Sequence, residues 1–408
     1  MTAPKIRFKE FSENWGSKKI IELADYVDYR GKTPKKVESG VLLVTAKNIK
    51  QGYLDYSASQ EFIEESAFDD VMRRGKVELN DVLITTEAPL GNVASVDRTD
   101  IALAQRVIKY RGKIGLLDNL FLKQKFLSES FQEILKSKAT GGTVQGIKGS
   151  VLHQIPLIVP SKEEQTKIAS FLSAVDEKIS QLTQKHELLS QYKQGMMQKL
   201  FSQQLRFKAD DGSEFGEWEE KLIKDIADVK GGKRIPKGYP LVNENTGHPY
   251  ITVSDMNRSY SIDSTNIRYV PLEVVDTIKR YTITDKDIFI SVAGTLGIIG
   301  KIPTEFNGAN LTENADKLTN LKCHQDFLIY LLDSGYLSEL IESTATTSAQ
   351  PKLALYAIEQ LEVQIPCPEE QTKIANFLSA IDQKIEVVAQ QIEQAKIWKK
   401  GLLQQMFV

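Results

Sequence analysis

Cysteine, histidine and long apolar runs are all scarce in this sequence. Its 408 residues include two cysteines, Cys323 and Cys367, and four histidines, none at a metal-binding spacing from either cysteine. The sequence therefore predicts neither a disulfide framework nor a zinc centre. No apolar run approaches the roughly 20 residues that cross a bilayer, and Met1–Lys9 lacks the apolar stretch of a secretion signal. We expect a cytoplasmic protein with no membrane role.

A strong excess of one charge is also missing. The formal net charge of -2 argues against a generally basic nucleic-acid-binding protein. Locally the charges are uneven: Lys and Arg number 11 against 6 Asp and Glu in residues 1–50, 3 against 10 in residues 51–97, and 10 against 4 in residues 98–150. The two basic segments form either one positive face after folding or an ordinary solvated surface.

Catalytic motifs are incomplete wherever the sequence approaches one. Gly294–Lys301 follows an apolar strand like a phosphate loop, but its glycines are one residue too far apart, Ile302 replaces the metal-binding hydroxyl, and Pro303 disfavours a helix. Asp211 with Glu219–Lys221 resembles a nuclease carboxylate cluster, although a solvated charge run is the simpler interpretation. The sequence also lacks the Asn/Asp-Pro-Pro-Tyr/Phe segment of amino-methyltransferases. We predict a protein that is not an enzyme and binds no metal.

An internal repeat is the strongest signal in the chain. Glu163–Ala169 returns unchanged as Glu369–Ala375 at an offset of 206 residues, and the identity continues from Phe171–Ala174 to Phe377–Ala380. Upstream of these segments the two halves agree only faintly at nearly the same offset. The chain is therefore a near duplication whose helical parts match and whose globular parts have diverged.

A long helix is predicted after each globular part. Ser161–Glu164 has the pattern of a capping box, in which Ser161 accepts a backbone N–H and Glu164 reaches back, and Pro368 stands where a first helical residue would. Apolar residues then recur in the alternating steps of four and three that form a coiled-coil seam. The seam positions are Ile168, Leu172, Val175, Ile179, Leu182, His186, Leu189, Lys193, Met196 and Leu200, and then Ile374, Leu378, Ile381, Ile385, Val388, Ile392, Ala395, Lys399, Leu402 and Met406. Forty helical residues at about 1.5 Å each make a rod of roughly 60 Å, which suits a spacer.

Lys193 and Lys399 interrupt the two seams at equivalent positions. Polar seam residues set register or partner orientation in some coiled coils, and a solvated lysine near a fraying end is the plainer alternative. Because each helix has one apolar stripe, we expect the two helices to pack on each other, antiparallel if the two halves face each other about a pseudo-twofold axis.

The repeat divides the chain into four segments. Residues 1–160 form a first globular domain, 161–203 a first spacer helix, 204–366 a leading segment with the second globular domain, and 367–408 a second spacer helix. The two halves begin alike, with Ile6–Lys9 before Trp15 and Leu205–Lys208 before Trp218.

The globular halves are predicted to be mixed α/β with short strands, which places the chain in the α+β (mixed) class. Asp81–Thr86 and Asp287–Val292 each reach a glycine-containing turn before another apolar run, as in a strand pair. Phe121–Lys138 and Phe327–Glu342 have helical spacing.

With these motifs the sequence resembles the specificity subunits of type I restriction-modification enzymes. The resemblance is carried by the segments that begin at Glu164 and Glu370 and read E-Q-x-K-I-A-x-F-L-S-A-(V/I)-D-x-K-I, and it covers essentially the whole chain. It implies a non-catalytic subunit that recognises a DNA sequence with two target-recognition domains. It also implies that the two conserved helices form an antiparallel coiled coil that fixes the distance between the domains.

Partners and cofactors follow from the resemblance alone. The expected target is double-stranded DNA with two half-sites, asymmetric and separated by a gap. Two modification subunits, which carry S-adenosylmethionine, would methylate an adenine in each half-site, and restriction subunits, acting as translocase and nuclease, would use ATP and Mg. None of these cofactors is expected to bind this chain.

Candidate DNA contacts are cations, which position phosphates or read guanine, and amides or hydroxyls, which read base edges. These candidates lie in basic loops rich in Gly and Pro, and for each of them a plain surface or turn role stays open. In the first domain they are Lys32, Thr33, Lys35, Lys36, Lys47, Asn48, Thr86, Arg106, Thr143, Gln145 and Lys148. In the second domain they are Lys233, Arg234, Lys237, Ser254, Asn257, Arg258, Thr295, Asn310, Gln350 and Lys352.

Three other functions remain open on the sequence. A stand-alone site-specific DNA-binding protein would bind a split site tightly without partners. A nuclease or methyltransferase of unfamiliar type would act on DNA when given Mg and S-adenosylmethionine. A coiled-coil scaffold would show no sequence-dependent crosslinking of its globular halves to DNA.

Overall fold

Most helices and strands of the first half of the chain recur in the same order in the second half. The computed structural model describes residues 4–29, 34–345 and 352–407. The chain divides into two compact units, Met1–Gln184 with Ala389–Val408, and Lys185–Val388. Each unit therefore contains one globular domain, part of the helix that follows that domain, and part of the other long helix.

The first globular domain and its helix contain ten strands and six helices within the described residues. The strands are β1 Gly16–Lys19, β2 Ala24–Asp28, β3 Lys36–Val37, β4 Val41–Val44, β5 Phe62–Ile63, β6 Val82–Thr86, β7 Leu90–Ser95, β8 Ile101–Leu103, β9 Val107–Gly112 and β10 Pro156–Val159. The helices are α1 Ile20–Leu23, α2 Phe68–Val71, α3 Asn119–Leu127, α4 Glu129–Ser137, α5 Gly149–Leu152 and α6 Lys162–Phe201, with a 3-10 turn at Glu65–Ala67.

The second globular domain and its helix have nearly the same order, with one strand fewer before α8 and one strand more after it. The strands are β11 Glu219–Leu222, β12 Asp228–Gly231, β13 Pro249–Ile251, β14 Arg268–Tyr269, β15 Thr282–Ile283, β16 Ile288–Ser291, β17 Ile299–Gly300, β18 Ala309–Leu311, β19 Ala315–Thr319 and β20 Glu362–Ile365. The helices are α7 Ile223–Ile226, α8 Val275–Ile278, α9 Gln325–Leu331, α10 Leu337–Ala345, α11 Leu355–Glu359 and α12 Pro368–Met406. Short 3-10 turns lie at Val253–Asp255, Leu272–Val274 and Thr304–Phe306.

The two domains share most of their sheet topology and differ in one edge strand each, because β3 beside β5 and β15 beside β18 have no counterpart in the other domain. The first has a two-stranded sheet β1-β10 and four-stranded sheets in the orders β2-β9-β6-β7 and β3-β5-β4-β8, in which β4 and β8 are parallel. The second has β11-β20, then β12-β19-β16-β17 and β14-β13-β18-β15, in which β13 and β18 are parallel. The predicted duplication and the mixed helix and strand content are confirmed.

The central strands explain where each core lies. All five residues of β6 are buried, as expected of an apolar run covered on both faces, and β6 pairs antiparallel with both β7 and β9. In the second domain β16 is equally buried and pairs with β17 and β19. The two predicted strand pairs are therefore confirmed.

The two predicted helical segments are each broken in the structure. In the first domain α3 ends and α4 begins at Ser128, whose hydroxyl accepts the N–H of Phe131 as an N-cap. In the second domain a wide turn at Leu332–Tyr336 separates α9 from α10, because Gly335 has a φ of +154°. The helical spacing predicted for the two segments is confirmed, and in each domain the segment forms two helices.

The two long helices run for 40 and 39 residues, with Leu172, Leu200 and Leu378 of the predicted seams fully buried. In the first unit Asp176 near the start of α6 pairs with Lys399 near the end of α12, at 2.6 Å. In the second unit the end of α6 meets the start of α12, and Lys193 pairs with Asp382 at 2.6 Å. Within each unit, then, the start of one helix lies beside the end of the other, as antiparallel neighbours do. Among the described residues no helix has both the length and the apolar character needed to span a membrane.

The start of α6 differs from the prediction. The N–H of Glu164 points at the Ser161 hydroxyl at 3.4 Å, but the carboxylate of Glu164 does not reach back to complete a capping box. It instead accepts hydrogen bonds from Arg7 and from Trp15 of the leading segment. The second copy repeats this arrangement with Glu370, which accepts hydrogen bonds from Arg206 and Trp218. The repeated glutamate therefore ties the leading segment to the long helix in both halves.

Candidate nucleic-acid interface

A cleft opens in the first domain where three segments meet. Its volume is about 430 Å³, and it lies among the end of β6, the turn before β9 and the loop that precedes α5. Its lining residues are Thr86, Glu87, Gln105 and Arg106, with Thr140, Val144, Gly146, Ile147 and Lys148 of the loop.

Backbone hydrogen bonds hold the loop of this cleft in place. Thr140 and Gly146 exchange two of them, at 2.8 and 2.9 Å, and the N–H of Ile147 donates to the carbonyl of Thr86 at 2.9 Å. The loop is thus anchored at both ends, while Thr143, Gln145 and the other residues of its tip are exposed.

Arg106 is the prominent cation of the first cleft. Its backbone has a φ of +69°, a left-handed conformation that is costly for a residue other than Gly. The Arg106 carbonyl is fixed there by Thr86, which donates its N–H at 2.9 Å and its hydroxyl at 3.3 Å. The guanidinium stays 56% exposed and lies 3.8 Å from Glu87, a loose surface ion pair that leaves it available to a ligand.

The second domain has a cleft at the same place in its topology. The N–H of Leu353 donates to the carbonyl of Val292 at 3.0 Å, which corresponds to the bond from Ile147 to Thr86. This cleft has a volume of about 360 Å³, and Asp316 and Lys352 are among its lining residues. The two domains therefore place a cleft at the end of the same central strand.

The chemistry of the two clefts differs. Asp316 lies on β19 and pairs with Ile290 of β16. At the corresponding position of the first domain, the buried Ile108 lies on β9 and pairs with Ile84 of β6. Burial raises the pKa of Asp316 to about 6, and the charge of Lys352 opposes this rise. The second cleft is thus lined by a carboxyl at a position where the first domain has a buried aliphatic side chain, and the first cleft is lined instead by Arg106, so the two present different donors and acceptors to a ligand.

Five of the candidate residues in the first domain come together at its cleft. Thr86, Arg106 and Lys148 line it, and Thr143 and Gln145 lie in the same loop. Thr86 is 5% exposed, and its hydroxyl donates a hydrogen bond to the backbone carbonyl of Arg106.

Three other candidates of the first domain lie on the sheet β3-β5-β4-β8 or beside it. Lys36 pairs with Glu61 at 2.8 Å and Lys35 with Glu64 at 3.8 Å, while Lys47 is exposed in the turn after β4. The close pair with Glu61 screens Lys36, whereas the pair of Lys35 is as loose as that of Arg106, so Lys35 and Lys47 stay candidates for phosphate contact.

Candidates of the second domain surround its cleft or lie on separate loops. Lys352 lines the cleft, and the exposed Lys233 and Arg234 follow β12, whose Gly231 pairs with Asp316. The remaining described candidates are Lys237, Ser254, Asn257, Arg258 and Thr295, of which all but the half-buried Asn257 are exposed.

A close backbone approach fixes the segment that carries Lys233 and Arg234. A Cβ at Gly232 would stand 2.0 Å from the carbonyl oxygen of Thr312, so only Gly fits there. The N–H of Lys233 donates to the carbonyl of Leu311 at 2.8 Å, and the Arg234 side chain pairs with Glu313.

Two candidate asparagines are structural. Asn48 is fully buried, accepts the N–H of Thr45 at 2.9 Å, and donates to the carbonyls of Asp55 and Ser59. Asn310 is 3% exposed and donates to the carbonyl of Ile278 at 2.8 Å. Their prediction as DNA contacts was wrong, because neither amide reaches the surface. Lys32, Thr33 and Gln350 lie outside the described residues.

Sequence reasoning missed Glu87, Gln105 and Asp316 of the two clefts. Glu87 directly follows the predicted strand that ends at Thr86. Because the second domain has an equivalent strand end at Val292, this repetition could have indicated Glu87 as a site residue. Asp316 lies inside a short strand between Ala315 and Lys317, where the residue pattern gives no sign of a cleft. Within the described residues no group of three or more His, Cys, Asp or Glu is arranged to hold a metal ion.

Comparison with known proteins identifies the family. The sequence model of the family described as Type I restriction modification DNA specificity domain matches residues 12–191 and again residues 216–396. The chain belongs to this family. Its members recognise the DNA sequence within a type I restriction-modification complex, and catalysis lies in the partner subunits.

Relatives of this specificity subunit match along nearly its full length. The chain is 24% identical over 408 residues to the type I restriction enzyme MjaVIII specificity subunit of Methanocaldococcus jannaschii, covering 96% of this chain and 91% of that protein. It is also 24% identical over 405 residues to the MjaIX specificity subunit of the same organism, covering 95% and 90%.

Solved structures share the fold of the specificity subunit. The crystal structure of a type I restriction-modification S subunit from M. genitalium matches with a TM-score of 0.63 at 20% identity, covering 100% of this chain and 99% of that one. A chain from a structure of assembly and conformational transition in the type I R-M system matches with a TM-score of 0.58 at 16% identity, covering 98% of both. At these identities the likeness extends to the fold alone.

Proposed function

We propose that this specificity subunit reads a bipartite, asymmetric DNA target, with one half-site bound at the cleft of each recognition domain. The observation that carries the proposal is the pair of clefts at equivalent strand ends with different lining chemistry. An exposed guanidinium offers a bidentate donor to guanine in one cleft, whereas a carboxyl beside a lysine offers both donor and acceptor groups in the other. Different groups on the same framework would read different sequences, which makes the target asymmetric.

The partner subunits complete the proposed function. Two modification subunits would dock on this chain and supply S-adenosylmethionine for adenine methylation in each half-site. Restriction subunits would supply the ATP and Mg chemistry of cleavage, and this chain would bind none of these cofactors. A chromosomal DNA target would place the complex in the cytoplasm.

Mapping methylated adenines in a strain that carries the partner subunits tests the proposal. With the chain present we expect methylation inside a two-part motif with a gap of several base pairs, and without it the motif should be unmethylated. An unchanged methylation map in that strain would overturn the proposal.

Cleft variants then test which domain reads which half. Arg106→Ala should relax the motif in one half and Lys352→Ala in the other, because each residue lies in a different domain. Relaxation of the same half by both variants would contradict the assignment of one half-site to each cleft.

A further inference from the structure

A tyrosine from a loop of the second domain lies on the seam lysine of the helix pair. The ammonium of Lys193 lies 4.3 Å from the ring centroid of Tyr260 and 5.1 Å from that of Tyr330, and it donates to the Tyr260 hydroxyl at 3.0 Å. The same ammonium pairs with Asp382 at 2.6 Å, and the Tyr330 hydroxyl donates to the other oxygen of that carboxylate at 2.6 Å. One seam position thus contacts both helices and a recognition loop.

The position of Tyr260 is fixed by several independent contacts. Its hydroxyl donates to Asp333 at 2.6 Å, and its carbonyl accepts the N–H of Lys301 at 3.0 Å. A Cβ at Gly300 would come within 2.4 Å of the Tyr260 backbone, so these two backbone segments can touch only because residue 300 is glycine. Tyr260 itself has a φ of +59°, a strained conformation that persists only where the surroundings enforce it.

The hydroxyl of Tyr260 stays a hydrogen-bond donor. Burial raises the pKa of Tyr260 well above its usual value, and the nearby charge of Asp333 raises it further. The phenol is therefore neutral at any ordinary pH, and the bond to Asp333 persists.

The loop that carries Tyr260 is a tight hairpin tip. The N–H of Asn257 donates to the carbonyl of Ser261 at 3.0 Å, and the side-chain oxygen of Asn257 accepts the N–H groups of Ser259 and Ser261 at 3.0 and 3.3 Å. Arg258 and Ser259 are exposed at the tip. They line a groove of about 840 Å³ with residues of α6 and α12, among them Lys193 and Asp382.

We propose that Tyr260 is a positioning residue for recognition of the second half-site, holding the loop Asn257–Ser261 on Lys193 so that Arg258 meets the DNA in one orientation. The inference rests on the proposed function, because it takes the second domain as the reader of one half-site, and it adds Arg258 as a DNA contact beside those of the cleft. It goes further by making selectivity of the second domain depend on a residue of the spacer helix.

The first unit is built differently at the equivalent seam position. Asp176 pairs with Lys399 at 2.6 Å and accepts a hydrogen bond from Gln124 at 2.8 Å, as Asp382 does from Tyr330. Among the described contacts of Lys399 there is no hydrogen bond, ion pair or cation-π contact with the corresponding turn at residues 49–54. In that turn Tyr53 is 60% exposed. The dependence on a seam lysine is therefore confined to the second domain, and the first unit provides matched controls.

The test uses the full chain assembled with its modification subunits and DNA pools randomised in one half-site at a time. Tyr260→Ala should lower base selectivity in the second half-site by about three- to tenfold, the effect of losing one or two hydrogen bonds, and leave the first half-site unchanged. Tyr260→Phe keeps the ring on Lys193 and should retain more selectivity than Tyr260→Ala. Tyr53→Ala is the matched control and should leave both half-sites unchanged.

Lys193→Met and Lys399→Met form a second pair that remains informative if Tyr260→Ala fails to fold in a thermal melt. Lys193→Met should lower selectivity in the second half-site, and Lys399→Met should leave that half-site unchanged. Equal effects of the Tyr260 or Lys193 variants on both half-sites, or no effect, would overturn the positioning role.

Arg258→Ala separates this inference from the proposed function. Weaker binding of the second half-site by Arg258→Ala, with full selectivity in Tyr260→Ala, overturns the positioning role and leaves the proposed function standing. If Tyr260→Ala loses selectivity in the second half-site and Arg258→Ala, as a separate variant, binds that half-site more weakly, both the positioning role and the proposed function are supported. An unchanged Arg258→Ala removes the contact through which Tyr260 was inferred to act and so overturns the inference.

Discussion

The guanidinium of Arg7 donates two hydrogen bonds to the carboxylate of Glu164, from Nε to Oε1 and from Nη2 to Oε2, each 2.7 Å long. The two residues are 157 positions apart in the chain, and Glu164 is 1% exposed. Arg206 and Glu370 repeat the pair with distances of 3.1 and 2.7 Å. This clamp joins the leading segment of each half to the start of its long helix.

Loss of the clamp should destabilise the protein. Arg7→Met leaves the buried Glu164 carboxylate without its charged partner, and we expect the free energy of unfolding to fall by about 2 kcal/mol or more. Denaturant unfolding of the full chain, followed by circular dichroism, measures this. Lys167→Met is the matched control, because the Lys167 ammonium pairs with the exposed Glu10 across 3.4 Å and lies 5.5 Å from the ring centroid of Phe8, and neither contact involves a buried carboxylate. Equal losses in the two variants would show that the clamp contributes no more than a surface pair.

Acid should weaken the first unit through Asp176. Burial opposes ionisation of this carboxyl, but Lys399, Lys123 and the hydrogen bond from Gln124 outweigh it and lower the pKa. A lowered folded pKa gives stability that is present above the unfolded value of about 3.9 and is lost as pH falls through the folded one. The free energy of unfolding should therefore fall less steeply with acid in Asp176→Asn than in the wild type. An equal slope in Asp176→Asn and the wild type would contradict this role of Asp176.

Arg106 should control reading of one half-site. Arg106→Ala should weaken binding of the matched DNA by about tenfold or more, the usual cost of a lost bidentate base contact. Arg106→Lys keeps the charge but not the fork, so it should restore the salt dependence of binding without restoring base selectivity. Competition binding at two salt concentrations separates these effects. Arg98→Ala removes an exposed arginine paired with Asp100 and serves as the control. A loss in Arg98→Ala as large as in Arg106→Ala would mean that only overall charge matters.

Recognition by the second domain should change near pH 6. Because burial raises the pKa of Asp316 to about 6, this carboxyl is a neutral donor below that pH and an ionised acceptor above it. Selectivity in the second half-site should therefore differ between pH 5.5 and 7.5, and Asp316→Asn should remove the difference.

The Asp316 carboxyl should change stability with pH in the direction opposite to that of Asp176. With a raised folded pKa, its contribution to stability is full below about pH 4 and is lost as pH rises through about 6. Asp316→Asn should therefore gain stability relative to the wild type between pH 4 and 6, as measured by denaturant unfolding. A constant difference across that range would contradict the raised pKa.

Local patterns in the sequence were enough for the framework. The heptad spacing and Pro368 located the long helices, and the apolar runs at Asp81–Thr86 and Asp287–Val292 located the central strands. These features depend on neighbours in the chain, which is why the pattern carries them. The helix breaks at Ser128 and Gly335 were missed because an apolar spacing continues through both.

Contacts between distant residues could not be found in the same way. Glu164 has a local pattern that indicates a capping box, but its actual partner is Arg7, which only the folded chain brings near. Asn48 belongs to a residue type that reads adenine, and nothing in its neighbours shows that the amide is enclosed. The clefts are likewise formed by segments about twenty to sixty residues apart in the chain. Local patterns could not show which segments meet, and about half of the candidates predicted in the first domain therefore lie away from its cleft.

The first unit is interrupted in the chain by the second. Its core includes Leu402, Leu403, Met406 and Phe407, and the N–H of Ile6 donates to the carbonyl of Gln405 at 3.0 Å. During synthesis the second unit is therefore complete on the ribosome before the last side chains of the first unit have been made. The first domain is the earlier of the two to emerge, but about two hundred further residues are translated before residues 389–408 supply the side chains that complete its core.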